Sequence, residues 1–434
     1  MFKSYGQLAA RNFSPPLPLS KRKDTYVVRV TDHKARRGCG GVLLTDEEAR
    51  LLRGEAGEGV AEAMEVVVRV AEAIGAERLV KISRAHISGI SFRNLGEEGI
   101  EFIEEMARKG LRFAVPTTVN PAGMDMENWR RMGVNAWEYE AQARVLRALE
   151  AMGAEITLSC TPYLYSPPRY GEHVAWAESN AVLYANSVLG ARTNREGGPL
   201  ALFEAIVGRA PYAGLHTDEG RAPTIAVDLS PVKRLVEEGG YYSALGYLVG
   251  SVAKTGVPLL LNTPSGLSTS CNLKLFLAAV GASSSVGLAL IEGISPEFRR
   301  VEGLDTVALE PHQLVEVLEK WGEVDVDAVV LGCPHLSPQE LVELYNRLRG
   351  RRLLRRLLLF TSRWAASRAT HAVRGLKEVG AEVYVDTCMV VGDLRRMGVE
   401  SCATDSAKAA YYLTNQGYGV WLAPRDALLE AVTA

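Results

Sequence analysis

Short apolar runs alternate with helical segments along most of the chain, and this alternation constrains the fold more than any other feature. The runs that we predict to be strands lie at 78–82, 111–115, 155–159, 327–332, 357–361, 382–386 and 419–423. Strands that alternate with helices are typical of parallel sheets built from βα units. The chain has 434 residues, more than one hydrophobic core usually supports. We therefore predict an α/β fold with mainly parallel sheets in at least two domains.

Helix start signals agree with this pattern. Thr45 stands before the acidic first turn of TDEEARLL, and residues 60–74 carry apolar side chains at helical spacing. Ser337 and Glu340 have the spacing of a capping box at the start of another helix. Further helices are expected near 97–109 and 137–152.

Composition excludes several classes of function. The formal net charge is −2, and no run of 18 apolar residues occurs, so neither nucleic acid nor a membrane is expected as a partner. Residues 1–23 contain no apolar stretch of the kind found in secretory signals. The six cysteines are far apart and form no CxxC pair, which favours reduced thiols. We expect a cytoplasmic protein that acts on a small molecule.

Three cysteines lie where a parallel sheet binds ligands, beyond the carboxyl ends of its strands. Cys160, Cys333 and Cys388 each follow an apolar run that is predicted to be a strand. Thiolates from separate segments are typical of zinc or iron–sulfur sites, and three ligands leave one metal position open for a substrate. The alternative for each cysteine is a packing role in the core. The weaker candidates are Cys39, Cys271 and Cys402, of which Cys402 is the best substitute.

Other polar residues in the predicted strand-exit loops have two interpretations each. His86 is expected either to orient a substrate or to make a structural hydrogen bond. His335 either supports the metal ligands or caps a helix, and His216 either is tuned by acidic neighbours or lies in a solvated turn. Lys408 falls in the first turn of a predicted helix, where cations are disfavoured, so an anion site is the alternative to a solvated lysine.

The segment AESNAVLYANSVLGARTNREGG, at 177–198, has an unusual polar composition for a helix surface. Asparagine and arginine supply directional hydrogen bonds and forked recognition of carboxylate or phosphate. We therefore expect Asn180 and Asn186 to orient a small anionic molecule, and Arg192 and Arg195 to hold its anionic end. The alternative for Arg195 is a structural turn pair with Glu196.

The stretch at 293–311 reads as a connection between two α/β units. The C-terminal third, which begins with DAVVLG at 327–332, then repeats the strand and helix pattern of the first part. The predicted division is an N-terminal extension at 1–42, an α/β domain with the substrate loops at 43–292, and a C-terminal α/β domain at 293–434.

Eight motifs together resemble one family, the large subunit of aconitase X. They are, in order, LTDEEARLLRGEAGEG, AHISGISF, VPTTVNPAGMD, SCTPYL, ESNAVLYANSVLGARTNREGG, GLHTDE, GCPH and TDSAKAAYY. The resemblance covers about residues 43–434 and implies an aconitase-like fold around a central cleft. It also maps the cluster ligands onto Cys160, Cys333 and Cys388. The expected cofactor is a [4Fe-4S] cluster with three cysteine ligands, although the lack of a CxxC pair leaves its nuclearity open.

The resemblance also implies an activity. The length matches the two-subunit type, in which a small subunit supplies a mobile lid domain and a catalytic serine. Archaeal members of that type dehydrate mevalonate 5-phosphate to trans-anhydromevalonate 5-phosphate. The runner-up is a cis-3-hydroxyproline dehydratase, and a non-catalytic ligand-binding protein on the same fold is an alternative of another class.

Dehydration of a phosphorylated hydroxy acid needs a Lewis acid for the departing hydroxyl, which an open iron supplies, and a base for the proton next to the carboxylate. The chain's own catalytic candidates are His86 and Lys408. The candidate substrate-binding residues are Ser88, Thr117, Thr118, Asn120, Asn180, Asn186, Arg192, Thr193, Arg195 and Ser406.

Overall fold

The computed structural model describes residues 41–433 and two short upstream strands, β1 (Leu19–Arg22) and β2 (Thr25–Val28). These strands form an antiparallel sheet with β3 (Val42–Leu44), in the order β1-β2-β3. The upstream strands are thus joined through the backbone to the start of the first α/β unit. Within the described ranges, no helix combines the length and the apolar character needed to cross a membrane.

The first α/β unit is built on a four-stranded parallel sheet in the order β7-β6-β5-β8. Its strands are β5 (Ala85–Ile87), β6 (Thr117–Val119), β7 (Ala154–Glu155) and β8 (Ala175–Trp176). A separate antiparallel pair joins β4 (Leu79–Lys81) to β9 (Arg209–Pro211). The helices of the unit are α1 (Asp46–Leu52), α2 (Glu58–Ala73), α3 (Phe92–Arg108), α4 (Ala136–Ala151), α5 (Ser179–Tyr184) and α6 (Gly198–Val207).

The second unit has a parallel sheet in the order β12-β11-β10-β13. Its strands are β10 (Ile225–Asp228), β11 (Pro258–Leu261), β12 (Leu290–Ile291) and β13 (Thr306–Ala308), and its helices are α7 (Ser230–Gly239), α8 (Tyr242–Ala253), α9 (Ser270–Ser283) and α10 (Pro311–Lys320). Helices α8 and α9 pack closely because Gly246 lacks a side chain: a Cβ there would lie 2.2 Å from the Phe276 carbonyl oxygen.

The third unit carries a five-stranded parallel sheet in the order β16-β15-β14-β17-β18. Its strands are β14 (Ala328–Leu336), β15 (Arg356–Thr361), β16 (Glu382–Tyr384), β17 (Ser401–Thr404) and β18 (Gly419–Leu422). Its helices are α11 (Pro338–Leu348), α12 (Arg363–Arg368), α13 (Thr370–Glu378), α14 (Ala407–Asn415) and α15 (Arg425–Val432). Every residue of β14 is buried, as is usual for a parallel strand covered on both faces.

One hydrophobic core connects the three units. Leu149 from the first, Phe276 from the second and Leu358 from the third are fully buried members of the same cluster. Burying a side chain of this size contributes roughly 1.5–3 kcal/mol relative to leaving it in water. The units are therefore packed against one another through a shared interior.

The predicted α/β fold with mainly parallel sheets is confirmed, as are two helix starts. Thr45 caps α1 and Ser337 caps α11, each with a complete capping box. The strand predicted at 111–115 is wrong. The Phe113 and Ala114 amides donate to single carbonyls of two different segments and form no strand pairing, and β6 begins only after Pro116.

Two other placements differ from the sequence-based expectation. His86 lies within β5 rather than in a loop beyond a strand, since the run at 78–82 ends in an antiparallel edge pair and the chain then enters the parallel sheet. The connection expected at 293–311 contains β13, which pairs with β10. The boundary predicted at residue 292 therefore falls inside the second sheet, which extends to Ala308.

Candidate active site

A cavity of about 880 Å³ lies where the three units meet, and three cysteines line it. Cys160 comes from the first unit, whereas Cys333 and Cys388 come from the third. All three are buried, with relative exposures of 7%, 4% and 7%. The second unit contributes Ser285 to the wall. The structure thus brings together the three thiols that were selected from their predicted positions at strand ends.

An irregularity in β14 sets the position of Cys333. The pairing of β14 with β15 shifts register between Leu331 and Leu336. Gly332 has a φ of +113°, and a Cβ at this position would lie 2.1 Å from the Phe360 carbonyl oxygen. Only glycine fits such a backbone. Cys333 therefore lies inside a kinked strand, rather than in a loop after it.

A buried ion network supports the segment that follows Cys333. The His335 amide donates to Cys160 Sγ at 3.3 Å, and the His335 carbonyl accepts from Lys274 Nζ at 2.6 Å. Lys274 is paired with Glu340, which also accepts from Arg425. A charge network of this kind fixes the backbone that joins two of the thiol-bearing segments.

Contacts between the first and third units hold the segment that carries Cys388. The Ala122 amide donates to the Asp386 carbonyl at 2.8 Å, and the Val385 amide donates to the Asp125 carboxylate at 3.0 Å. The ring nitrogen Nε2 of His335 donates to the Thr387 carbonyl at 2.8 Å. His335 thus supports two thiol-bearing segments and does not itself line the cavity.

The charge on Lys408 acts on all three thiols. Burial raises the pKa of each cysteine, that of Cys333 to about 12, and the positive Lys408 lowers all three. Lys408 forms an ion pair with Glu178 across the cavity wall. Burial alone would lower the pKa of Lys408, but the Glu178 carboxylate raises it above its usual value, so this lysine stays charged.

Glu178, Glu196 and Tyr412 line the cavity but were not among the site residues predicted from the sequence. Burial raises the pKa of Glu178, but Lys408 outweighs it and brings the value to about 2. The Asn120 and Asn180 side-chain amides donate to this carboxylate at 2.9 and 3.0 Å. A helix-capping glutamate in a segment rich in asparagine was the available signal, since Glu178 precedes α5 and accepts from its first turn.

His86 lies behind this network. Its Nε2 is 3.3 Å from Asn120 Oδ1, which accepts only, so the ring hydrogen is on Nε2 and Nδ1 accepts from Thr118 Oγ1 at 2.8 Å. Burial lowers the pKa of His86 to about 4, and the ring is neutral. Because the side chain is fully buried and does not line the cavity, His86 orients Asn120 through a hydrogen bond.

Of the other substrate-binding candidates, Asn120 and Arg195 line the cavity. Arg195 donates from Nη1 to the Ser284 carbonyl at 2.5 Å and from Nη2 to the Gly281 carbonyl at 2.8 Å, rather than forming a turn pair with Glu196. Asn180 supports the wall, since it also donates to the Cys160 carbonyl at 3.0 Å.

The structure does not bring the remaining candidates to the cavity wall. Arg192 binds the His216 carbonyl and pairs with Asp218, and Asn186 donates to the carbonyls of Thr193 and Gly287. These groups are satisfied by protein partners away from the cavity, so they hold the loop in shape. The hydroxyls of Ser88, Thr117 and Thr193 donate to backbone carbonyls, whereas Ser406 caps α14 and also forms a hydrogen bond with the Cys333 thiol.

The other cysteines lie elsewhere. Cys402 is fully buried in β17, and Cys271 is partly buried in α9; neither lines the cavity. Cys39 falls outside the described residues. Cys402 packs inside the third sheet, because it is a buried residue of β17.

The three thiols are the metal-binding side chains that the cavity offers. Between residues 41 and 433, no group of three or more His, Cys, Asp or Glu side chains is arranged to hold one metal ion. Ligands of a single ion must lie within about 2.3 Å of one point. In an iron–sulfur cluster each thiolate binds its own iron, so the thiols are spread around the group. Three buried thiols that line one cavity are a donor set that an iron–sulfur cluster could use.

Family models match nearly all of the described chain. Residues 41–219 match the aconitase X first domain, 223–319 the second domain and 326–434 the third domain. The chain is 40% identical over 384 residues to the phosphomevalonate dehydratase large subunit of Methanothermobacter thermautotrophicus, which covers 87% of this chain and 95% of that protein. It is 41% identical over 408 residues to the Aeropyrum pernix protein of the same name, with coverages of 90% and 100%.

More distant similarity extends to a second activity and to a solved structure. The cis-3-hydroxy-L-proline dehydratase of Pseudomonas aeruginosa is 36% identical over 389 residues, covering 86% of this chain and 66% of that protein. A crystal structure of Thermococcus kodakaraensis aconitase X (holo-form) matches with a TM-score of 0.82 and 36% identity, covering 90% of this chain and 99% of that chain. Three consecutive domain matches, the fold and the identity over most of its length show that the chain belongs to the aconitase X family.

Proposed function

We propose that this chain is the large subunit of a hydro-lyase that dehydrates mevalonate 5-phosphate to trans-anhydromevalonate 5-phosphate. The observation that carries the proposal is the 40% identity to a phosphomevalonate dehydratase large subunit that spans 95% of that relative. Identity to the hydroxyproline dehydratase is lower, at 36%, and covers 66% of a longer protein. The cavity volume of about 880 Å³ is within the usual range for a small-molecule site.

The proposed substrate has a carboxylate, a β-hydroxyl and a phosphate. Lys408 and Arg195 are the cations in the cavity wall, and each already has protein partners. We propose that the positive charges of Lys408 and Arg195 attract the anionic groups of the substrate into the cavity. Asn120 and the backbone at Gly197 are the neutral groups placed to orient the ligand.

The proposed cofactor is an iron–sulfur cluster held by Cys160, Cys333 and Cys388. When bound, a cluster with one open iron would supply Lewis-acid polarisation of the substrate hydroxyl. The chain itself contributes three thiols and the positive charge of Lys408, which lowers the pKa of each thiol and so favours the thiolate that iron requires.

The proposed partner is a small subunit, as the names of the archaeal relatives indicate for those proteins. We propose that this subunit supplies the lid domain and a serine that acts as the base. Within the cavity, Glu178 is ionised and paired with Lys408. Its pKa of about 2 makes this carboxylate a poor proton acceptor at neutral pH. A base from outside the chain is consistent with that arrangement.

The isolated chain, purified without oxygen, is expected to form no trans-anhydromevalonate 5-phosphate, and addition of the small subunit should restore the reaction. Product formation from mevalonate 5-phosphate would be followed by phosphorus and proton NMR, with the small subunit alone as the control. Full activity of the isolated chain would contradict the proposed partner. If the assembled, iron-loaded enzyme makes no product, the proposed substrate is wrong.

A further inference from the structure

A second carboxyl group lines the cavity, and its surroundings differ from those of Glu178. Glu196 is 9% exposed, lies in the cavity wall and has a buried oxygen, Oε1, without a hydrogen-bond partner. Glu204, on α6, is fully buried, and neither of its carboxyl oxygens has a partner. In contrast to Glu178, no cation is paired with either side chain among the described residues.

A buried carboxylate without a cation or hydrogen bonds is unfavourable, so such a group takes up a proton instead. Burial raises the pKa of Glu196 to about 7, although the Asn194 side chain lowers it. Burial and the charge of Glu196 raise the pKa of Glu204 well above its ordinary range. Two carboxyl groups that influence each other in this way titrate as a pair, and Glu196 is the member that can exchange a proton with the cavity, because it lines the cavity whereas Glu204 is fully buried.

The other charged groups that face this cavity do not share that property. Glu178 is ionised, because its pKa is about 2, and Lys408 is held protonated by Glu178. Arg195 keeps its proton at any ordinary pH and is bound to two carbonyls. Under the proposed function the three thiols are occupied as cluster ligands, and Tyr412 is the remaining titratable group of the wall. Glu196 is thus the carboxyl that faces the ligand with a proton available.

We propose that Glu196 is the general acid of this cavity and protonates the hydroxyl that leaves the substrate. The inference rests on the proposed dehydration. A base removes the proton from the carbon next to the carboxylate, and the electron pair of that bond forms the double bond. The carbon–oxygen bond breaks, the departing oxygen takes the proton of Glu196, and water leaves. Glu196, now a carboxylate, regains a proton from solvent, which balances the proton that the base releases.

Glu196→Gln tests this role in the assembled, iron-loaded enzyme, because glutamine keeps the shape and neutrality of the acid but cannot give a proton. We expect kcat to fall by about 10²–10⁴-fold with little change in KM. In the wild type, kcat should fall as the pH rises through about 7, since the acid form is then lost, and this dependence should be absent in the variant. Glu196→Asp keeps the proton one methylene further away and should recover part of kcat together with the pH dependence.

Infrared spectroscopy gives a readout that does not depend on turnover. The difference between the wild-type and Glu196→Gln enzymes should show a protonated carboxyl band that disappears as the pH rises through about 7. Wild-type kcat in Glu196→Gln, or no titrating carboxyl band, would overturn the proposal. If the wild type makes no product, the proposed function fails, and the infrared titration still decides whether Glu196 holds the proton.

Discussion

Replacing Cys160, Cys333 or Cys388 by alanine should remove most of the bound iron and the brown colour of the anaerobically purified protein. Each variant leaves two thiols in the cavity, too few to hold a cluster with one open iron. Loss of a direct ligand should exceed the roughly 10–100-fold loss of metal affinity that is typical for residues that only support ligands. Iron and sulfide content, together with the absorption spectrum, would be measured for each variant.

Two other cysteines provide matched controls, because they do not line the cavity. Cys271→Ala and Cys402→Ala should keep normal iron and sulfide, although Cys402→Ala removes a fully buried side chain and is expected to lower stability. If Cys402→Ala lost the cluster while Cys388→Ala kept it, the third ligand would be misassigned. That Cys39 is dispensable stays a prediction, since it lies outside the described residues.

Lys408→Met should lower the free energy of unfolding by about 3–5 kcal/mol, the usual result of removing one partner from a buried ion pair. Glu178, which is mostly buried, would be left without its cation. Loss of the positive charge should also reduce kcat at least about 100-fold, as removal of a positioned electrostatic group commonly does. Denaturant unfolding monitored by circular dichroism, and turnover of the assembled enzyme, would measure the two effects.

The double variant Glu178→Gln, Lys408→Met separates stability from activity. With both charges removed, no unpaired buried ion remains, so most of the lost stability should return while kcat stays low. The contribution of the pair also depends on pH. Because the pKa of Glu178 is lowered from 4.5 to about 2, the wild type should lose this contribution as the pH falls through that range. Equal stability of the single and double variants would contradict the ion-pair account.

The parallel sheets and the positions of the three cysteines near predicted strands could be predicted, because both depend on local sequence signals. The apolar runs that form most of β14 and β15 are typical of strands buried on both faces. The carboxyl ends of parallel strands meet at one edge, so Cys333 and Cys388, which lie in or after strands of one sheet, were expected to lie together. Cys160 belongs to the first unit, and its position beside them depends on how the units pack.

The polar part of the cavity could not be predicted, because partners distant in sequence decide which groups are available. Arg192 is a residue type that often binds anions. In the structure its guanidinium group instead pairs with the carboxylate of Asp218, 26 residues further along the chain. Glu178 caps α5 and pairs with Lys408, which is 230 residues away in the sequence, so its place in the cavity depends on a long-range contact. The raised pKa of Glu196 comes from burial of its side chain, which no sequence pattern reports.

The central claim is tested most directly by comparing kcat/KM for mevalonate 5-phosphate and for cis-3-hydroxy-L-proline with the same assembled, iron-loaded enzyme. The two compounds share a carboxylate and a hydroxyl, but one carries a phosphate and the other a ring nitrogen, so the comparison shows which of the two compounds the pocket is built for. A site that binds the phosphate should favour mevalonate 5-phosphate by at least roughly 100-fold, since its polar groups are left unpaired by the other compound. A larger kcat/KM for cis-3-hydroxy-L-proline would contradict the assignment and make the chain a hydroxyproline dehydratase subunit.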